Sequence, residues 1–320
     1  MFSGKDAVLR ADELKAMATT ALVFTVPSVI AGLGWLHIMM PLPVFYFSTV
    51  SGLHSGLRIT VWAAAATALI TQATGNLAGF LFSLSILPVG YILARGRIHK
   101  EPLLASAGKG IIYLSLAWLM FGLLVGTVQQ INPYQEILQG LERGYDAATA
   151  LYKDSGQFGA EDLKAIQEFM ARLKALTIKL FPALLMSSIL CTVWLNVISG
   201  QMLFRKNNKV LAEQENLKTW RLPDALVWPV IMAGIALIVP HAQINTMGLN
   251  LGFVLLIAYL SQGLAIVASM LQHWAMPQFF RVMTYTLLFM QVYGIVLVAA
   301  LGLAETWLDL RSRLTKQEME

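Results

Sequence analysis

The chain has 320 residues and a net charge of +5, with 57% hydrophobic and only 13% charged residues. Soluble domains average about 25% charged residues. Too little polar surface is left to cover a body in water, so the solvent must be largely lipid. The small positive excess sits in short loops, a pattern that orients membrane segments and forms no basic stripe, so nucleic acid is not expected as a partner.

Residues 1–16 are charged, with Lys5, Arg10 and Lys15 set against Asp6, Asp12 and Glu13. The apolar run after them has span length and no convincing cleavage site, so it is expected to be a first helix rather than a signal peptide. A span needs about 20 mostly apolar residues. Residues 17–37 qualify, with a kink expected at Pro27. Residues 41–53 are short for a span and predict either a poorly spanning helix or a re-entrant segment. Residues 59–74 and 77–94 are separated by Gly75 and Asn76 and predict a tight antiparallel hairpin. A basic loop follows, with Arg95, Arg97, His99 and Lys100, and residues 110–128 form the next span.

Residues 129–175 break the pattern with seven acidic and five basic side chains. Asn132-Pro133 is a helix start, Asn as cap and Pro at the first helical position. Apolar residues at helical spacing on both sides of a 155–159 turn predict a helical hairpin outside the hydrocarbon. A long span at 176–204 holds Asn196, Gln201 and the lone Cys191, which reads as a small buried hydrophobe. Residues 205–221 form a basic loop. Residues 224–240 are a short span carrying Pro229. Residues 247–271 are expected to be interrupted at Ser261-Gln262-Gly263, and a last span covers 281–303.

The positive-inside rule assigns 95–109 and 205–221 to the cytoplasm and 129–175 to the outside. Arg311, Arg313 and Lys316 then pull the C-terminal tail inward, against a simple count of crossings. About eight spans are expected.

Two kinds of residue are candidates for function. Small residues four apart, at Gly52/Gly56, Ala64/Ala68, Gly75/Gly79, Gly122/Gly126 and Gly248/Gly252, lie on single helix faces and permit close helix approach. They serve either packing within the chain or docking of a second membrane protein, best placed on Gly52, Gly56, Ala64 and Ala68. Arg58 beside them is either a snorkelling loop arginine or an anchor for an anionic partner. The other kind is polar side chains at membrane depth, among them Asn76, Asn196, Asn250 and Gln262, each of which needs a partner in hydrocarbon. The span centres carry almost no Asp, Glu, Lys or Arg, which argues against a proton-driven transporter. The five histidines are scattered, and no catalytic, nucleotide-binding or metal motif occurs. No cofactor or metal is expected.

Three segments carry a resemblance: MPLPVFYFSTVSGLHSGLRI at 40–59, WRLPDALVWPV at 220–230 and GLAETWLDLRSR at 302–313. With the spacing of the spans, they resemble the YybS-like family of uncharacterised bacterial membrane proteins. Glu305 stands where the closing segment usually carries Asp. The resemblance brings no assigned functional residues. Its N-terminal half is similar in turn to the substrate-binding subunits of energy-coupling-factor vitamin transporters, in a proline-containing first loop followed by a glycine-rich short helix. Those subunits are small helical bundles that bind a vitamin or metal from outside and rely on a coupling protein and ATPases. The present chain departs from them in its extra spans and its polar hairpin.

The resulting expectation is an all-α, polytopic bundle in the bacterial cytoplasmic (inner) membrane, with an extramembrane helical hairpin. Its expected role is a non-catalytic subunit that binds a small molecule in a pocket of Asn76, Asn196, Asn250 and Gln262 and takes energy from a partner. The alternative is a scaffold that docks a membrane protein through its small-residue faces.

Overall fold

The computed structural model describes residues 4–206 and 221–309. The expected basic loop is therefore described only at Arg205, Lys206 and Arg221; Lys209, Glu213, Glu215, Lys218, Trp220, Arg311, Arg313 and Lys316 lie outside the described residues. Two compact units emerge, one from residues 4–121 and 188–206, the other from 122–187 and 221–309. Between lipid-solvated helices there is no water to expel, so packing and internal hydrogen bonds hold each unit together.

The first unit begins with α1 (Gly4–Val29), which ends two residues past Pro27. Proline lacks an N–H and its ring crowds the carbonyl four residues back. The expected single span over 17–37 is thus two pieces: the chain continues as a 3-10 segment, Ala31–Met39, before α2 (Pro41–Val50). Gly52, at φ 88, turns the chain into α3 (Leu53–Ala73). Gly75, at φ 75, then starts the hairpin into α4 (Leu77–Ser83), a short 3-10 turn and α5 (Leu87–Ile98). α5 runs through Arg95 and Arg97, so the expected loop at 95–109 shrinks to four residues before α6 (Leu103–Gln129). Phe24, Met40, Val44, Ala63, Phe80 and Leu87 form one core cluster. Hydroxyls tie α1 to α3, with Thr25 Oγ1 and Thr67 Oγ1 3.1 Å apart.

The second unit opens with the polar hairpin. Asn132 Oδ1 accepts from the Tyr134 and Gln135 N–H groups and caps α7 (Pro133–Asp154). A turn leads into α8 (Ala160–Lys206). α7 lies antiparallel to α8: Tyr145 Oη is 2.8 Å from Thr177 Oγ1, and Lys174 Nζ is 2.9 Å from Asp146 Oδ1. At 1.5 Å per residue, the 47 residues of α8 extend about 70 Å, more than twice a hydrocarbon core. α9 (Val227–Ile238) is short at 12 residues.

α10 (Ala242–His273) runs unbroken through Ser261-Gln262-Gly263, contrary to the expected interruption. The glycine there serves packing. A Cβ on Gly263 would overlap the Val298 carbonyl of α12 (Val292–Leu308), and one on Gly302 would overlap the Tyr259 carbonyl of α10. The two glycines let these helices meet backbone to backbone. The break falls instead in the expected last span. α11 (Gln278–Met290) and α12 meet at extended Gln291 with a 105° bend.

Among the described residues, six helical segments are long and apolar enough to cross a bilayer, or seven if the bent pair is one span. They are Gly32–Val50, Leu53–Ala73, Leu77–Ile98, Leu103–Gln129, Ala160–Lys206 and Ala242–His273.

Candidate functional site

The four amides expected to line a pocket have separate surroundings. Asn76 is exposed in the turn before α4, where its backbone N–H bonds to the Thr71 carbonyl at 2.8 Å. Asn250 and Gln262 stand twelve residues apart on α10, about 18 Å along the axis.

The three amides that are not exposed share one job, which is to serve backbone beside a proline. Asn196 Nδ2 donates to the Ile38 carbonyl at 2.6 Å. Pro41, three residues past Ile38, has no N–H to offer that oxygen. Asn250 bonds to the backbone of α8 around Pro182. Its Oδ1 accepts from the Ala183 N–H and its Nδ2 donates to the Lys179 carbonyl, both at 2.9 Å. Those two groups are the i, i−4 pair that flanks the proline, so the side chain acts as a spliced-in peptide. Gln262 Oε1 accepts from the Leu222 N–H, just before Pro223, and its Nε2 donates to the Gly302 carbonyl, both at 2.7 Å. These groups are structural stitches, and their hydrogen-bonding capacity is largely committed to backbone. Within the second unit, Asn250 and Gln262 lie too far apart along α10 to line one small pocket.

The expected docking face is also used within the chain. Gly52 makes a turn, and a Cβ on Gly56 would overlap Ser48 of α2. Ala64 and Ala68 pack on the core of their own unit. Arg58 pairs with Glu13 of α1 at 2.7 Å, both partly exposed, an arrangement worth about 1 kcal/mol at most. Of the remaining expected pairs, Gly248 makes a close contact, meeting Ala233 and Ala236 of α9, whereas Gly79 and Gly122 face open space.

The arrangement with chemical potential lies elsewhere in the first unit. Arg97 is 8% exposed. It belongs to the buried face of α5, at helical spacing from Gly90, Leu93 and Ala94. Its guanidinium carbon stands 4.1 Å from the centroid of the Phe204 ring on α8. Phe204 in turn meets Phe45 edge-on at 5.3 Å and stacks on Tyr46 at 5.4 Å. α8 presents Asn196, Gly200 and Phe204 four residues apart, and a Cβ on Gly200 would overlap the Phe45 ring. Arg97 Nε is buried with no hydrogen-bond partner among the described residues, as are Ser48 Oγ on α2 and Asn196 Oδ1 on α8. An effective penalty of roughly several kcal/mol attends a buried, unpaired ion. A cation–π contact returns about 2 kcal/mol, and a cation in the last turn of a helix gains about 1 kcal/mol from the dipole.

The carboxylate nearest in sequence is engaged elsewhere. Glu101 Oε2 accepts from Lys109 Nζ at 2.7 Å and from Ser106 Oγ at 3.4 Å. The hydrogen bond from Lys109 holds the Glu101 carboxyl below its ordinary range. Arg95, His99 and Lys100 on one side, and Arg205 and Lys206 on the other, are exposed and basic. Sequence reasoning placed Arg97 among loop charges. The signal that distinguishes it is its position seven residues after Gly90, on the apolar face.

Several helices of span length with apolar surfaces define a multi-pass α-helical membrane protein. The chain belongs to the family described as "Predicted membrane protein (DUF2232)", whose model matches residues 18–306. No curated protein and no solved structure matches the chain.

Proposed function

We propose that the chain is a non-catalytic subunit of the bacterial inner membrane that holds a small molecule and depends on a partner protein for energy. The observation that supports this reading is Arg97, a buried guanidinium on an aromatic floor whose Nε has no partner among the described residues. Buried polar atoms without partners are few in folded proteins and point to a ligand, ion or water. The seat of binding moves from the four amides to the α2–α5–α8 seam of the first unit. The scaffold reading loses its support at Gly56, Ala64 and Ala68, because the chain's own packing uses them.

The reading counts seven crossings, adding the short apolar segment Asp224–Ile238 to the six long ones and leaving the bent α11–α12 pair re-entrant. The basic segments face the cytoplasm and the hairpin faces outward. A re-entrant α11–α12 pair brings the tail to the cytoplasmic side, where its arginines belong.

Native mass spectrometry of protein gently extracted from its own membrane tests the proposal. A discrete one-to-one adduct above 35.2 kDa supports it. A bare chain that carries only a statistical spread of lipids contradicts it.

A further inference from the structure

The geometry points to an anion-binding centre at Arg97 that takes a phosphate oxyanion. This rests on the ligand-binding reading above and adds the chemical class of the ligand.

Four observations carry it. The Phe204 ring covers one face of the guanidinium, which leaves the edge, where the N–H donors lie, as the route for recognition. Nε is on that edge and has no partner among the described residues. A guanidinium fork matches the paired oxygens of a phosphate. The neighbouring acid is withdrawn, because Glu101 is held by Lys109. The exposed charges at this end of the unit, Arg95, Lys100, Arg205 and Lys206, supply a positive field that draws anions in and repels cations. Snorkelling does not account for the residue. A snorkelling arginine sends its head group out to the interface, whereas Arg97 is 8% exposed, with Nε buried and the guanidinium packed on the Phe204 ring.

The oxyanion has two sources, a soluble phosphate compound or the headgroup of an anionic lipid, and the test separates them. The full chain is placed in zwitterionic nanodiscs. Inorganic phosphate or pyrophosphate is titrated in one arm. In the other, phosphatidic acid is added to the disc. Binding is followed by 31P NMR line broadening and by thermal shift. The expected result is saturable binding in at least one arm, weakened about tenfold or more in Arg97→Gln and retained in part in Arg97→Lys. Arg95→Gln serves as the control for field alone, with a threefold effect at most. Melting of each variant in the absence of anion shows whether it is folded. Should Arg97→Gln not fold, Phe204→Leu takes its place, with weaker binding expected at unchanged charge.

The inference is overturned by binding that is equal in wild type and Arg97→Gln, or by no binding in either arm. It is also overturned if binding appears only in a Glu213→Gln, Glu215→Gln double variant, which would mean that a carboxylate of the chain itself holds Arg97. A neutral adduct found by native mass spectrometry would overturn the phosphate assignment and leave the ligand-binding reading intact. The absence of any adduct would remove that reading as well.

Discussion

Asn250 accepts a hydrogen bond from the Ala183 N–H with the same amide that donates to the Lys179 carbonyl, each at 2.9 Å, on either side of Pro182. The side chain thereby closes a gap in α8 that the proline opens. Asn250→Ala is expected to destabilise the protein by roughly 1–3 kcal/mol, the cost of leaving two backbone groups unpaired where lipid offers no substitute partner. In a Pro182→Ala background the helix closes its own ladder and the same change should cost less than half as much. Thermal melts of the four proteins in one detergent measure the coupling. Additive effects would mean that Asn250 and Pro182 are independent.

Gly263 and Gly302 set the α10–α12 contact against carbonyl oxygens, which cannot swing aside as a side chain can. Gly263→Ala or Gly302→Ala is expected to cost about 1–3 kcal/mol or more. Gly122→Ala, with open space around it, should be neutral or stabilising by up to about 1 kcal/mol from helix propensity. Melting temperatures of the three variants check the contrast.

Phe204→Leu keeps an apolar side chain against Phe45 and Tyr46 but removes the π face under Arg97. About 0.5–2 kcal/mol of cation stabilisation should be lost. The expected readout is a lower melting temperature at low salt without a change in helicity by circular dichroism. An unchanged melting temperature would show that the ring serves shape alone.

Glu101 is held below its ordinary value of 4.5 by the hydrogen bond from Lys109 Nζ. A carboxyl whose folded value is depressed contributes stability above its unfolded value and loses it as pH falls through the folded one. Glu101→Gln is therefore expected to lower the melting temperature at neutral pH. The difference from wild type should shrink as pH falls below about 4.5 and vanish in stronger acid. A difference that is constant across this range would show that the ion pair is not its source.

Much of the architecture was legible because apolar runs of span length have few alternatives to a helix. The Asn132-Pro133 start was readable for a local reason, since cap and first-turn proline act within three residues of each other. The breaks were less legible. Pro27 and Pro41 announce disruption, but whether the chain continues as α or 3-10 helix depends on what accepts or supplies the orphaned hydrogen bonds. For the Ile38 carbonyl that group is Asn196, 158 residues away. Gln262-Gly263 is also explained from a distance: a polar residue beside glycine resembles a break, until α12, 40 residues on, supplies the carbonyl and the close contact that explain both. Arg97 was hidden by its neighbours. In a run with Arg95, His99 and Lys100 it reads as a topology signal, and only the continuation of α5 through it turns it inward.

In the proposed function, binding depends on Arg97 while the amides serve the fold. It is tested most directly by native mass spectrometry of wild type, Arg97→Gln and Asn250→Ala extracted side by side from the same membrane. A one-to-one adduct is expected on wild type and on whatever Asn250→Ala protein remains folded, with its loss from Arg97→Gln. An adduct that persists on Arg97→Gln and disappears from folded Asn250→Ala would contradict it.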